Sequence, residues 1–455
     1  MIPFNINTDW SKINISIIGG GISGLSAAKL AKYVGANVFI SESQEEPLYV
    51  KEIKKYPNEI GCHSNKIYDS DFIIISPGVP ITNPIVSACR KKNINIYSEI
   101  EFASWFTSSM IIALTGSNGK TTTANLLHAM CLCDDKNSLL GGNVGIPFSD
   151  NVLLELKMNI KSPIHVLEIS SFQLEHIESF SPNVAGLLNI SLDHLDRYNN
   201  IEDYANEKLK IAKNIKKKNS IIFNADDEIL LNVFKNNQYA TSFSSKKHSK
   251  SYFRLDTDSI YSLNGTLKLL ELNETKLKGR HNLQNILAAA TMAHHSNISD
   301  TSIRNAIINF SPIPHRIEWV GEIKGIEFFN DSKATNLAAT EAAILSFKKN
   351  IILILGGRDK CNSDFSILKS VITKRVKFII SYGEDGGKIM RQLSKSINVK
   401  YIKKFKDAVL HAYKIAVNND KILLSPGCSS YDQFLNFESR GHNFKNIIKE
   451  IELDY

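Results

Sequence analysis

Short apolar runs alternate with amphipathic segments along the whole chain, and most of the runs stop at a Gly-rich or polar turn. Near the start, INISII, NVFIS and DFIIIS are β-branched runs of strand length, and the helical pattern LSAAKLAKYVG lies between the first two. Apolar runs joined by crossover helices predict a parallel, doubly wound sheet. YSEIEFASWF then reads as a connecting helix that closes a first domain over residues 1–100. The alternation restarts with IIALT, a helix opening at Lys120, IHVLEIS, VAGLLNIS, the helical run IEDYANEKLKIAKNI, and SIIFNADD as the last strand of a second sheet. Residues 235–276 are polar and poorly periodic, so loops and short edge strands are expected there. The strong helix GRHNLQNILAAATMAHH follows, and Ser311-Pro312-Ile313-Pro314 ends a second domain over 101–312. The third, over 313–455, runs through GIEFFNDS, NLAATEAAILSF, NIILILGG, VKFIISYG, DAVLHAYKIAV and KILLSPG, again a parallel sheet with crossover helices. The expected fold class is α/β in three domains, the first and last Rossmann-like.

Composition adds little to this picture. The chain has 455 residues, 43% of them hydrophobic and 22% charged, which describes a soluble protein of two or three domains. Its net charge of +8 comes largely from scattered lysines such as Lys216-Lys217-Lys218. That permits nucleic-acid binding without arguing for it, and it suits small anionic substrates. Six cysteines form no CxxC pair and no His-bearing metal spacing, so free thiols in a reducing compartment are expected. With no signal-like start and no apolar run long enough to span a bilayer, a cytoplasmic protein is expected.

Candidate chemistry lies where the apolar runs end. In IIALTGSNGKTTT a strand, a Gly-rich turn and a helix N-terminus make an anion site, with Gly116 and Gly119 letting backbone amides converge on a phosphate. Lys120 can reach the outer phosphates, and Thr121 can offer its hydroxyl to magnesium. Leu114 stands where GxxxxGK[ST] would have its first Gly, and an ordinary strand–helix turn is the alternative. Glu168, near the end of IHVLEIS, suits a magnesium ligand or a solvated strand terminus. His194, among acids in LDHLDRY, is a metal ligand or a surface histidine, and Lys208 falls between apolar positions of its helix. Gly19, Gly21 and Gly24 form a GxGxxG turn, and Glu42 ends the next strand, where an acid can hold a ribose or a base edge. In the third domain, polar clusters at Asp331–Asn336, Gly356–Lys360 and Ser425–Ser430 look like one binding edge.

The motifs TGSNGKTTT, LEISSFQLE, NISLDHLDRY, YANEKLKIA, GRHNLQN, PHRIEWV, NDSKATN, LGGRDK and LLSPGCSSYDQFLNFESRG occur in one order. Together they resemble the Mur ligases over essentially the whole chain. The SSYDQFLNFESRG tail and the Gly-rich first domain are similar to the branch that adds D-glutamate, and no DNPR-type motif of the diamino-acid branches is present. The resemblance implies that the central domain is a P-loop ATPase domain and that the third binds the amino acid. It implies a ligase that phosphorylates the carboxylate of UDP-MurNAc-L-Ala and passes the acyl phosphate to the amine of D-glutamate, releasing ADP and phosphate in peptidoglycan precursor synthesis. ATP and two magnesium ions are the implied cofactors, and a monomer without nucleic-acid or membrane partners is expected.

Residue by residue, the resemblance puts Gly116, Ser117, Asn118, Gly119, Lys120, Thr121 and Thr122 around the phosphates of ATP. Asn285, Arg316 and Asp331 fall on the nucleotide, Asp331 toward its ribose. Thr121, Glu168, His194 and Lys208 fall at metal sites, Lys208 as a carbamylated lysine, with Asn143 on the substrate side. Ser23, Glu42, Ser43 and Ser76 fall where the family holds its UDP-sugar, and Glu42 stands where Asp is expected. Around the acceptor, the third domain offers Lys333, Thr335, Lys360, Ser430 and the backbone near Phe437. Lys120, Glu168, His194, Lys208 and Lys333 are the implied catalytic set. A folylpolyglutamate synthetase would share the ATP domain but lack the Gly-rich first domain. A nicotinamide or flavin oxidoreductase would use the first domain alone.

Overall fold

The computed structural model describes residue 4 and residues 7–191, 197–198, 200–246, 251–262, 268–277 and 279–453. It forms two compact units, one of Met1–Ile190, Glu202–Thr275 and Gln284–Phe310, the other of Ser191–Ile201, Lys276–Leu283 and Ser311–Tyr455.

The first unit opens with β1 (Asn14–Ile18), β2 (Asn37–Glu42), β3 (Asn58–Ile60), β4 (Phe72–Ile75) and β5 (Asn95–Ser98), all parallel in the order β3-β2-β1-β4-β5. β4 is buried along its whole length, which is why its run FIII does not alternate. A second parallel sheet holds β6 (Met110–Thr115), β7 (Ser138–Gly142), β8 (Ile164–Glu168), β9 (Val184–Leu187), β10 (Ile221–Asn224) and β11 (Ala240–Phe243), in the order β11-β10-β9-β6-β8-β7. Contrary to the expectation that SIIFNADD ends this sheet, β11 follows it at the edge. Only Phe243 of its ATSF is fully buried, so the stretch carries no apolar run to announce a strand. β7, the opposite edge, was likewise hidden in a Gly-rich stretch. A small antiparallel sheet of β12 (Phe253–Asp256), β13 (Ser259–Ser262) and β14 (Lys268–Glu271) lies within the polar region.

The helix Glu99–Ser104 joins the two large sheets of this unit with two carboxylates. Glu101 accepts backbone N–H groups of Glu178, Ser179 and Phe180 at 2.8–3.2 Å, and Glu99 accepts that of Ser149. Charge-assisted bonds of this kind are roughly twice as strong as neutral ones.

The second unit holds β15 (Glu318–Ile323), β16 (Ile326–Asn330), β17 (Ile351–Gly356), β18 (Val376–Tyr382), β19 (Val399–Ile402) and β20 (Lys421–Gly427), in the order β15-β16-β20-β17-β18-β19. Five strands are parallel, β16, β17, β18 and β20 on the expected runs and β19 an unexpected addition, but β15 pairs antiparallel with β16 and corrects the wholly parallel expectation. The cause is the two-residue turn Lys324-Gly325, with φ of 52° and 72°, the left-handed pair that a tight hairpin needs. Apolar side chains of β16, β17, β18 and β20 fill cores on both faces, which leaves the strand ends to carry the polar clusters.

Candidate functional site

In the first unit, β6 runs into the turn 116–119 and the helix Lys120–Cys133. Gly119 has φ of 83°, and a Cβ there would stand 2.3 Å from Asn285 Oδ1, so only glycine fits. The same Asn285 oxygen accepts from Thr123 Oγ1 at 3.3 Å, which sets Asn285 against the loop. Asn189, which the sequence did not single out, holds the loop from the other side. Its carboxamide accepts from the Asn118 N–H at 2.8 Å and donates to the Asn118 carbonyl at 3.1 Å. Lys120 Nζ donates to the carbonyls of Gly116 at 2.7 Å and Ser117 at 3.0 Å. Ser117 and Thr122 are buried and Asn118 is half-buried.

Glu168 ends β8, the neighbour of β6, with Leu114 as its register partner. Its Oε1 accepts from Asn143 Nδ2 at 3.1 Å. Its Oε2 and the hydroxyl of Thr121 are both buried and, among the described residues, have no hydrogen-bond partner. Orphaned buried oxygens cost free energy unless a ligand takes them up. Both are hard donors suited to Mg²⁺, which typically takes one or two protein oxygens and completes its shell from water and phosphate. Lys208 is only 2% exposed, donates to the Gly116 carbonyl at 3.0 Å and lies 4.5 Å from the Tyr204 ring centroid. His194 lies outside the described residues.

At the Gly-rich turn after β1, Glu42 is committed to backbone. Its carboxylate accepts from the N–H of Gly20 at 2.7 Å and of Gln44 at 2.9 Å. Ser76 donates to the Gly19 carbonyl at 3.1 Å, so it and Glu42 brace the same turn. Ser23 is half-buried in the first turn of the helix Ile22–Tyr33, and Ser43 is exposed.

In the second unit the three polar clusters do meet on one edge. Ser425 donates to Asp331 at 2.8 Å, and Arg358 and Ser429 exchange backbone hydrogen bonds at 3.0 and 2.9 Å. Burial pushes the Asp331 carboxyl up to about 7, against the pull of Ser425 and of Arg316. Arg316 sits between two residues with left-handed backbones, His315 at 64° and Ile317 at 48°. The latter is costly for a β-branched side chain. Glu318 accepts from the His315 N–H and Asp331 from the Ile317 N–H, and these bonds hold the strained turn. Lys333 Nζ lies 3.8 Å from the Phe437 ring centroid, while the Phe437 carbonyl accepts from Ser332 at 2.8 Å. Thr335 is half-buried just before the helix Leu337–Leu345, and Ser430 is buried. Lys360 is half-buried beside Asp359, whose carboxylate takes Lys388 at 2.9 Å and so pins the loop. The sequence also passed over Arg440, a fully buried cation on the helix Phe437–Leu453. Its position in SSYDQFLNFESRG was the one available signal.

A phosphate-type turn and an acceptor-type strand edge on a single chain are the parts of an ATP-dependent ligase. Residues 13–98 match the MurD-like N-terminal domain of Mur ligases, 114–293 the Mur ligase middle domain, and 315–428 the Mur ligase glutamate ligase domain. The chain belongs to the Mur ligase family. The UDP-N-acetylmuramoylalanine–D-glutamate ligase of Koribacter versatilis is 36% identical over 96% of this chain and 97% of its own. That of Christiangramia forsetii is 36% identical over 96% and 99%. Among solved structures, the UDP-N-acetylmuramate–alanine ligase of Thermotoga maritima superposes with a TM-score of 0.61 at 18% identity, over 97% of this chain and all of that one. A pseudomurein peptide ligase type C from Methanothermus fervidus also gives 0.61, at 19% identity, over the same shares. These two likenesses show the three-domain α/β fold.

Proposed function

We propose that this chain joins D-glutamate to UDP-N-acetylmuramoyl-L-alanine at the expense of ATP, in peptidoglycan precursor synthesis in the cytoplasm. The observation that carries this is the match, at 36% identity over 96% of the chain, to relatives named for that reaction. The site supports it. The loop 116–119 and Lys120 cradle the phosphates, with Thr122 and Asn285 beside them, while Arg316 and Asp331 serve the nucleotide. The substrate carboxylate attacks the γ-phosphorus, the bond to the bridging oxygen breaks and ADP leaves, while the loop amides and Lys120 stabilise charge on the transferring oxygens. Thr121 and Glu168 would hold magnesium, which would supply positive charge to the phosphates. Asn143, through its bond to Glu168, keeps that carboxylate aimed. The neutral amine of D-glutamate then attacks the acyl carbon, phosphate leaves, and the amine loses its proton.

Ser23, Glu42, Ser43 and Ser76 line the UDP-sugar turn in this reading. Lys333, Thr335, Lys360, Ser430 and the backbone near Phe437 receive the two carboxylates of the acceptor. Lys208, buried among apolar positions of its helix, is in this reading the lysine that captures carbon dioxide as a carbamate. That carbamate and His194 would serve as ligands of a second magnesium ion. A monomer is the expected state, and sedimentation tests it. Among the described residues no helix is long and apolar enough to cross a membrane.

The deciding assay is phosphate release from ATP in the presence of UDP-MurNAc-L-Ala, with and without D-glutamate. Turnover that needs both substrates is expected. Better use of L-alanine, L-lysine or a diamino acid as acceptor would overturn the proposal.

A further inference from the structure

We infer that Arg440 is a positioning residue for the acceptor, locking the turn that carries Lys333 and the loop that carries Ser430 into the one arrangement that receives a dicarboxylate. This deepens the proposed function and rests on it. The Arg440 side chain is 0% exposed. Its Nε donates to Ser332 Oγ at 2.9 Å and one terminal nitrogen to the Ser332 carbonyl at 2.8 Å. The other terminal nitrogen donates to the Cys428 carbonyl and the Tyr382 hydroxyl, both at 3.2 Å. One planar fork thereby ties together the turn after β16, the end of β18 and the loop after β20.

The chain of contacts continues to the proposed acceptor groups. Ser332, held by Arg440, donates to the Phe437 carbonyl, and the Phe437 ring carries the ammonium of Lys333. Cys428 lies two residues before Ser430 in the same loop. A shift of either segment would move Lys333 or Ser430 against the other.

Stability alone is a poor account of this residue. Burying a guanidinium costs several kcal/mol, and apolar side chains of similar volume often hold a fold equally well or better. All four acceptors are neutral oxygens, and no carboxylate forms an ion pair with Arg440 among the described residues. The guanidinium therefore leaves positive potential under the edge where two substrate carboxylates are to bind, and low-dielectric surroundings strengthen that field. Lysine cannot replace it, because an ammonium is a point donor and reaches no three-way fork.

The test uses the full-length enzyme with Arg440→Lys and, as a milder probe, Ser332→Ala, which removes one acceptor of the fork together with the hydroxyl's own bond to the Phe437 carbonyl and leaves the guanidinium in place. Arg440→Lys is expected to raise the KM for D-glutamate by about tenfold or more, with the KM values for ATP and the UDP-precursor changed less than about twofold. Ser332→Ala should shift the same constant in the same direction by less, and millimolar guanidinium should partly restore Arg440→Ala. Equal changes in all three KM values, or no change in a folded variant, would overturn the role. If Arg440→Lys does not fold, Ser332→Ala alone decides, and an unchanged D-glutamate KM there counts against the inference. A wild-type enzyme that ignores D-glutamate overturns the proposed function as well. A wild type that uses it, with uniform effects in the variants, overturns only the part given to Arg440.

Discussion

Lys120 and Lys208, from different helices, donate to the same atom, the carbonyl oxygen of Gly116, at 2.7 and 3.0 Å. Both side chains converge beside the phosphate turn, where the proposed carbamate on Lys208 would replace a buried cation with an anion. Lys208→Ala is expected to be nearly inactive and to be partly restored by small carboxylic acids such as acetate, which can stand in for a carbamate. Unmodified Lys208 in an electron-density map of the active enzyme, together with no rescue, would leave it as a packing lysine.

Lys120 keeps its charge in this picture and carries it to the phosphates. Lys120→Ala should lower kcat by about 10³-fold or more, the scale of a single well-placed cation in phosphoryl transfer. The side chain faces the loop rather than a core, so the variant should melt within a few degrees of wild type, which differential scanning calorimetry can check. Near-native turnover would remove Lys120 from the mechanism.

Lys360 follows a Gly-Gly turn at the end of β17 and stands beside a loop pinned through Asp359. A charge pair to an acceptor carboxylate is worth about 10²-fold or more. Lys360→Ala should therefore raise the KM for D-glutamate steeply and leave that for ATP little changed. Steady-state kinetics with each substrate varied in turn would separate this from a surface lysine, which would move neither constant.

Glu99 predicts how stability depends on pH. Burial pushes its carboxyl from the ordinary 4.5 up to about 7, against the pull of its bonds to Ser149. A group with a raised native pKa holds a proton that the unfolded chain releases. Its contribution is thus whole below about 4.5 and is lost as pH rises through about 7. Glu99→Gln keeps an acceptor for the Ser149 N–H and cannot ionise. Denaturant titrations should find the variant close to wild type at pH 5 and more stable at pH 8, by about 3 kcal/mol at most. Parallel curves across that range would show that Glu99 does not titrate there.

The strands β1, β4, β6, β8, β9, β17 and β20 were legible because each is a short, mainly apolar run with few polar interruptions (Ser16 in β1, His165 in β8), and burial on both faces requires nothing from distant sequence. The phosphate turn was equally legible, since Gly116, Gly119, Lys120 and Thr121 are neighbours in the chain and their geometry is local. The edge strand β7 was not, and β11 was legible only as a short edge strand somewhere in 235–276 and not as part of the second sheet, because an edge half open to water needs few apolar residues. Nor was the β15–β16 hairpin, whose Lys-Gly turn is a weaker signal than Asn-Gly.

Only the tertiary structure placed Asn285 against Gly119, Asn189 on the loop backbone and Arg440 beneath Ser332 and Cys428. Residue type and spacing along a chain determine which segments pair, coil or turn. Which remote side chains share one oxygen, or one buried fork, depends on strand order and on the packing of crossover helices. Those are settled by burying all the apolar faces at once, a condition that no local stretch contains.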